Sequence, residues 1–427
     1  MAYITSVIMI ITFYYALKKA PYVRSSKLFL CFYSLFFVRV IFSVNHEITF
    51  QPVFAGQSLT SLSSLVTIFI VFVLINKKYL TYRAIVPYYI VMVLAVLSTV
   101  YSSEWVGGVV VLMKWSLLVV TSIAIIQLFY QFGLVNTLRP FYYLFMALLI
   151  SQAFSILLGQ GKDTESLNST SNAISYIAGY AHESAFSILM YNGFLISAIL
   201  MIKKSVKPFI PFLFLLGLIF ANYRTLLISA MIPLICTYLA YFYFGAKKDT
   251  KVTVFTLAII FIGIVSTLFG ESIINRFGEL GGAFVNVGEL MTIDYSLFSV
   301  EEKRLLSSRI YLWNMYLAEF SGFSFFEQVF GAGPEAWANY FEVYAHNTFV
   351  AVLFDLGYIG LIALIIAFYC TFRMILKSNE GKLKLTMMSF LIGFFIMSNS
   401  TMPLWAVEGV HLFSFIFTVA FYLSKKN

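Results

Sequence analysis

Residues 108–130 read GVVVLMKWSLLVVTSIAIIQLFY, an apolar stretch in which Lys114 is the one charged side chain. About 20 apolar residues in helical geometry cross the hydrocarbon of a bilayer. A backbone surrounded by lipid must satisfy its own hydrogen bonds, and the alternation of a barrel strand is absent, so the stretch reads as a membrane helix. Working outward, comparable runs lie at 2–17, 28–44, 59–75, 84–101, 140–158 and 184–202, then at 208–221, 226–244, 252–270, 348–370, 385–398 and 408–424. The whole chain of 427 residues is 61% hydrophobic and 11% charged, whereas soluble proteins are about 25% charged. The sequence therefore predicts an all-α, polytopic integral membrane protein of about thirteen crossings, with 12 and 14 as alternatives, forming a single transmembrane domain over 1–427. A soluble enzyme, a disulfide scaffold and a disordered chain are excluded. Cys31, Cys236 and Cys370 lie in or at the ends of apolar runs, which does not indicate a disulfide framework. No small-residue cleavage site follows the first run, which is expected to be a retained first helix.

Basic residues set the orientation. Alternate connections at 18–27, 76–83, 131–139, 203–207, 245–251, 373–384 and 425–427 hold 20 of the 28 Lys and Arg. The other connections hold Lys162, Arg224, Arg276, Lys303, Arg304 and Arg309, and Arg39 and Lys114 lie inside runs. The first set is expected in the cytoplasm and the amino terminus outside. Of the 19 acids, only Asp249 and Glu380 fall on the inner side. Basic inner loops need only anionic membrane lipid as a partner, so nucleic acid is not expected. Those loops have no His and no phosphate-cradling glycine motif, which moves the search for chemistry outward.

The outer side carries one long connection, 271–347, far beyond ordinary loop length. Within it, 281–288 (GGAFVNVG) reads as flexible, and 301–320 has Leu305, Ile310, Trp313 and Leu317 at helical spacing, predicting an amphipathic helix near the membrane surface. His46, His182, His346 and His411 all map to the outer side or to outer helix ends, with no zinc-like spacing, so no metal site is expected. Arg224 follows an outer turn and precedes a helix, where a guanidinium and exposed N–H groups converge on an anion; a snorkelling arginine is the plain alternative. Arg39 and Lys114 lie below their outer helix ends, where a charge requires a partner or a function, with Glu104, Glu183 and Glu408 as candidate partners. His346 and Asn347 stand at the mouth of a helix, and Asp355 lies about two turns below on His346's side, near Gly357 and Gly360.

The ordered set Arg224, Arg309 with Trp313, Gly331 and Gly333, His346–Asn347, then Asp355, Gly357 and Gly360 resembles the O-antigen polymerases and ligases that build bacterial surface polysaccharides. Glu183, in His182–Glu183–Ser184, looks like a Glu-Pro-Ser pattern of the polymerase branch, although Ala185 follows and no proline is present. The resemblance covers about 220–370 and implies a metal-independent glycosyltransferase of the bacterial inner membrane with its active site on the periplasmic side, partly on loop 271–347. It implies undecaprenyl-pyrophosphate-linked oligosaccharide as substrate, a chain-length regulator protein as partner and no cofactor. Arg224 and Arg309 would hold the pyrophosphate, and His346 would be the base, titrating near neutrality. Glu183, Asp355, Asn347, Arg39, Lys114, His182 and Trp313 would bind substrate, and direct displacement predicts inversion at the anomeric carbon. Two alternatives stand beside the polymerase. One is a ligase that moves glycan to lipid A core. The other is a lipid-linked oligosaccharide flippase, which should show paired halves and broken helices around a midplane site.

Overall fold

In a computed structural model the described residues are 1–54, 56–163, 174–244, 288, 290–305 and 308–425. The expected crossing at 252–270, the basic connection at 245–251 and all but Gly288 of 281–288 lie outside them. The main helices are α1 (Ala2–Lys19), α2 (Lys27–Val44), α3 (Leu59–Leu74), α4 (Val86–Ser102), α5 (Trp105–Leu157), α6 (Glu183–Ile202), α7 (Phe209–Phe220), α8 (Arg224–Tyr238), α9 (Arg309–Ser321), α10 (Thr348–Leu376), α11 (Gly381–Ser398) and α12 (Val407–Lys425). Among the described residues, seven helical segments are long and apolar enough to cross a membrane: α2, α5, α6, α8 with its π-helical extension to Tyr243, α10, α11 and α12. Two antiparallel pairs of very short strands, around Pro52–Ser58 and Lys162–Ser175, are the only β structure described. The protein is thus all-α and membrane-embedded.

The distribution of polar groups supports the same conclusion independently of length. In α3 the buried side chains include Thr60, Ser63 and Thr67, and the exposed ones include Leu65, Val66, Phe69, Phe72 and Val73. This inverts the pattern of a water-soluble helix and suits a helix with lipid outside. The buried hydroxyls bond back to their own helix, Thr67 to the Ser63 carbonyl and Ser63 to the Thr60 carbonyl, each at 2.7 Å, so their burial leaves no unmet donor. In α4, Ser98 and Thr99 face in while Val93, Val96, Leu97 and Val100 face out. Helices α6 and α12 are buried nearly all round and form the centre, with α12 packed against α5, α6, α10 and α11.

Two glycines break long helices. Gly133 (φ 78°, ψ 165°) divides α5, whose 53 residues would be about 80 Å long at 1.5 Å per residue; the break falls in the expected basic connection at 131–139. Gly357 (φ 68°, ψ −169°) divides α10. A broken helix frees carbonyls that lipid cannot satisfy. Here the segment 331–334 supplies the donors: Ala332 N–H bonds the Phe354 carbonyl at 2.8 Å and Gly333 N–H bonds that of Asp355 at 3.1 Å, with the Ser98 hydroxyl also on Asp355 O at 2.9 Å. The approach requires glycine on both sides. A Cβ on Gly331 would sit 2.3 Å from the Asp355 carbonyl group, and one on Gly357 would sit 2.3 Å from the Val329 oxygen.

Among the described residues, hydrogen bonds and ion pairs join connections of the same set to one another. At the basic end, Tyr22 donates to the Asn136 carbonyl, Arg139 donates to Ser205, and Lys203 pairs with Glu380. At the opposite end, the Thr5 hydroxyl meets the Ala178 carbonyl, Asn45 meets Ser6, Lys114 meets Glu335, Asn339 meets Glu104, and Asn347 meets the Asn399 carbonyl. The expected single helix over 301–320 is instead two: Val300–Arg304 and α9, separated where Ser308 turns left-handed at φ 66°. Nor does α9 simply lie on a surface. Tyr316 and Phe320 lock onto α10 through Phe354 and Tyr358, with ring centroids 5.2 and 5.3 Å apart.

Candidate active site

Three helices begin with a charged residue at the acidic end: α6 with Glu183, α8 with Arg224 and α9 with Arg309. Each start exposes backbone N–H groups, and the two arginines add fixed positive charge to helix termini that already favour anions. Tyr223, which immediately precedes Arg224, lies within electrostatic reach of Arg309, Tyr344 and Glu183. Burial pushes its phenol up, and the Arg309 guanidinium opposes the shift. Arg309 also acts on Tyr344 and His346. Arg309 thus acts on Tyr223, Tyr344 and His346, the last two in ring contact, and Glu183 reaches the group only through its weaker influence on Tyr223. Arg224 itself is exposed there.

His346 sits in a left-handed turn (φ 50°), with its ring 4.0 Å from that of Tyr344. The turn is held from both sides. Trp313 Nε1 donates to the Ala345 carbonyl at 3.0 Å, and Asn347 caps α10 by accepting from Phe349 N at 2.9 Å and Val350 N at 3.2 Å. Asn347 and Trp313, expected to bind substrate, here use these groups to hold the His346 turn. The imidazole does not titrate near neutrality as expected. Burial, with help from the Arg309 charge, pushes its pKa down to about 4, because both disfavour a second cation at that place.

Glu183 lies 3.9 Å from Lys162 Nζ, and its Oε1 is buried without a hydrogen-bond partner. Lys162 also donates to the Ala181 carbonyl at 3.0 Å. His182 occupies the N-cap position of α6, without a side-chain capping bond.

The remaining expected residues form a second group. Asp355 is placed with Glu335 and Lys114 rather than with His346: its Oδ2 accepts from Glu335 N at 3.3 Å, and its Oδ1 is buried without a hydrogen-bond partner. This part of α10 packs on α4, whose Ser98 hydroxyl reaches the Asp355 carbonyl, and the 331–335 segment brings Glu335 onto the Asp355 carboxylate. Lys114 pairs with Glu335 at 2.8 Å, and Arg39 lies 3.9 Å from Glu408. Of the expected acidic partners, Glu408 thus serves Arg39, whereas Glu104 accepts from Asn339 and Glu183 faces Lys162.

Sequence reasoning missed Tyr223, Tyr344, Lys162 and Glu335. The tyrosines had a signal, adjacency to Arg224 and His346. Glu335 had none: its carboxylate joins Lys114 to Trp337 Nε1 (2.9 Å) only because the chain turns left-handed there, at φ 60°. No protein-family model and no curated protein matches the chain.

Proposed function

We propose that this protein is a multi-pass glycosyltransferase of a bacterial inner membrane, with about thirteen crossings, that joins lipid-linked saccharide units of an O-antigen or related polysaccharide. Undecaprenyl pyrophosphate would be the leaving group and a hydroxyl of a second lipid-linked unit the acceptor, at the periplasmic face. What supports the reading is that Arg309, at the start of α9, acts electrostatically on both His346 and Tyr223 at the start of α8, where helix termini and guanidinium groups favour an anion. Arg309 and Arg224 hold the diphosphate and stabilise the charge that grows on it as the anomeric C–O bond breaks. The acceptor oxygen forms the new bond from the opposite face, inverting the anomeric carbon, and its proton passes to the His346 ring.

The low pKa of His346 fits this order of events. An empty site keeps the imidazole neutral and able to accept a proton. A diphosphate bound to Arg309 offsets the charge that opposed protonation, so the base strengthens when substrate is present.

In cells lacking the gene and complemented with variants, Arg224→Ala, Arg309→Ala and His346→Ala are expected to abolish long surface glycan on a gel while the protein accumulates normally. Wild-type ladders in all three would reject the reading. A ligase would instead leave lipid-linked polymer that never reaches lipid A core. The flippase reading is favoured by the break at Gly357, about 14 Å along α10 from Thr348 at 1.5 Å per residue and so near the middle of a 30 Å hydrocarbon layer. Against it, the carbonyls of Phe354 and Asp355 accept from the 331–334 segment, whereas transporters use freed groups for cargo. Loss of every outward repeat, rather than loss of chain length, would decide for the flippase.

A further inference from the structure

Away from His346, a cavity of about 460 Å³ opens between α2, α3, the start of α5 and Val407. One wall is polar, with Arg39, Lys114, Gln57, Thr60, Ser61 and Ser64. The other is apolar and includes Val106, Val109, Val110 and Met113, and of its lining residues Trp105, Val106 and Val109 are exposed on the protein surface. Arg39 is underused. Its Nη1 donates to Ser43 at 2.8 Å, its Nε is buried without a hydrogen-bond partner, and its Nη2 stands 3.9 Å from Glu408, beyond hydrogen-bond length. A guanidinium carries five donors, and leaving buried ones unmet is costly.

We propose that this cavity binds a phosphate-headed amphiphile, its head group on Arg39 and the hydroxyls of α3 and its tail along the valine wall. The place of such a ligand in the reaction follows from a path of contacts to the first site. Lys114 on the cavity wall pairs with Glu335 at 2.8 Å; Glu335 accepts from Trp337 Nε1; the Trp337 and Tyr344 ring centroids lie 6.0 Å apart; and the Tyr344 ring meets that of His346 at 4.0 Å, tilted by 39°. The cavity is accordingly the acceptor site, holding the second lipid-linked unit so that its glycan reaches His346. The acceptor role rests on the glycosyl-transfer reading, but the binding does not.

The test is native mass spectrometry of the purified full chain in detergent with undecaprenyl monophosphate, the neutral alcohol undecaprenol and inorganic phosphate. Wild type is expected to hold two lipid phosphates per chain. Arg39→Gln and the cavity-filling Val110→Trp should each lose one, with affinity for it reduced about tenfold or more, the effect of losing a single charge-assisted contact. Arg309→Ala should keep the one that Arg39→Gln loses. Two variants are used because Arg39→Gln leaves Glu408 without its cation, whereas Val110→Trp leaves every charge in place. Unchanged stoichiometry in both variants would overturn the proposal. Equal binding of undecaprenol would overturn the role of the anion, and displacement by inorganic phosphate as effective as by the lipid would overturn the amphiphile. Failure of the glycosyl-transfer reading would look different: normal glycan in His346→Ala cells, with Arg39-dependent lipid binding intact.

Discussion

Substituting Gly357 by alanine attacks the contact that joins the long outer connection to α10. The new Cβ would sit 2.3 Å from the Val329 oxygen and 2.7 Å from that of Gln328, both backbone atoms. It would also occupy φ 68°, ψ −169°, a backbone region essentially reserved for glycine that costs other residues on the order of 1–3 kcal/mol. If the 327–334 segment moves away, the carbonyls of Phe354 and Asp355 lose the N–H groups of Ala332 and Gly333, at about 0.5–1.5 kcal/mol each. Alanine also favours a continuous helix over glycine by about 1 kcal/mol, which pulls α10 straight and expels the segment. The clamped but strained break loses the backbone strain and whatever the clash forces aside, and the straightened helix loses about 1–3 kcal/mol of clamp bonds less about 1 kcal/mol of helix gain, so the loss is expected at about 1–3 kcal/mol.

Two glycines serve as comparisons. A Cβ on Gly133, at φ 78°, ψ 165°, meets nothing within 4 Å, so Gly133→Ala should cost only the backbone strain, on the order of 1–3 kcal/mol. Gly381, at the start of α11 and also in open space, should accept alanine without loss. The assay is reversible unfolding of the purified protein in mixed micelles, with limited proteolysis across 322–336 to detect release of the segment. A Gly357→Ala protein as stable as Gly381→Ala and equally resistant to protease would refute the reasoning.

Because the folded pKa of His346 is depressed to about 4 from 6.5, its contribution to stability is fully present above pH 6.5 and lost as pH falls toward 4. Unfolding midpoints of wild type and His346→Gln should therefore diverge across that interval, and parallel profiles would show that the imidazole is not held neutral. Cysteines placed at Ser299 and at Ser205 are expected to react with membrane-impermeant maleimide from opposite sides of the membrane, and labelling from the same side would overturn the topology. Exchanging Lys203 and Glu380, whose side chains are 25% and 33% exposed, should change stability by less than about 1 kcal/mol, as read from the same unfolding curves.

Composition and the placement of basic residues sufficed to predict a membrane-embedded helical chain with two chemically distinct ends, because lipid imposes the helix and the charge bias wherever the chain crosses. Arg309, His346 and Glu183 were singled out differently, by the order of motifs that resembles the polysaccharide polymerases and ligases. The run of hydrophobic residues from 108 to 130 was legible from composition alone, as was Lys114 within it. Tertiary structure alone decided the pairings. Asp355 serves Glu335 because the 331–335 segment docks on α10, where Ala332 and Gly333 bond the carbonyls of Phe354 and Asp355 and the Glu335 N–H reaches the carboxylate, a long-range contact that helical periodicity does not contain. The partnership of Lys114 with Glu335 spans more than two hundred positions and follows from how α5 meets the 331–334 segment. The cavity beside Arg39 arises where α2, α3 and α5 fail to close on one another, and its shape is a property of packed surfaces that no single stretch of residues encodes.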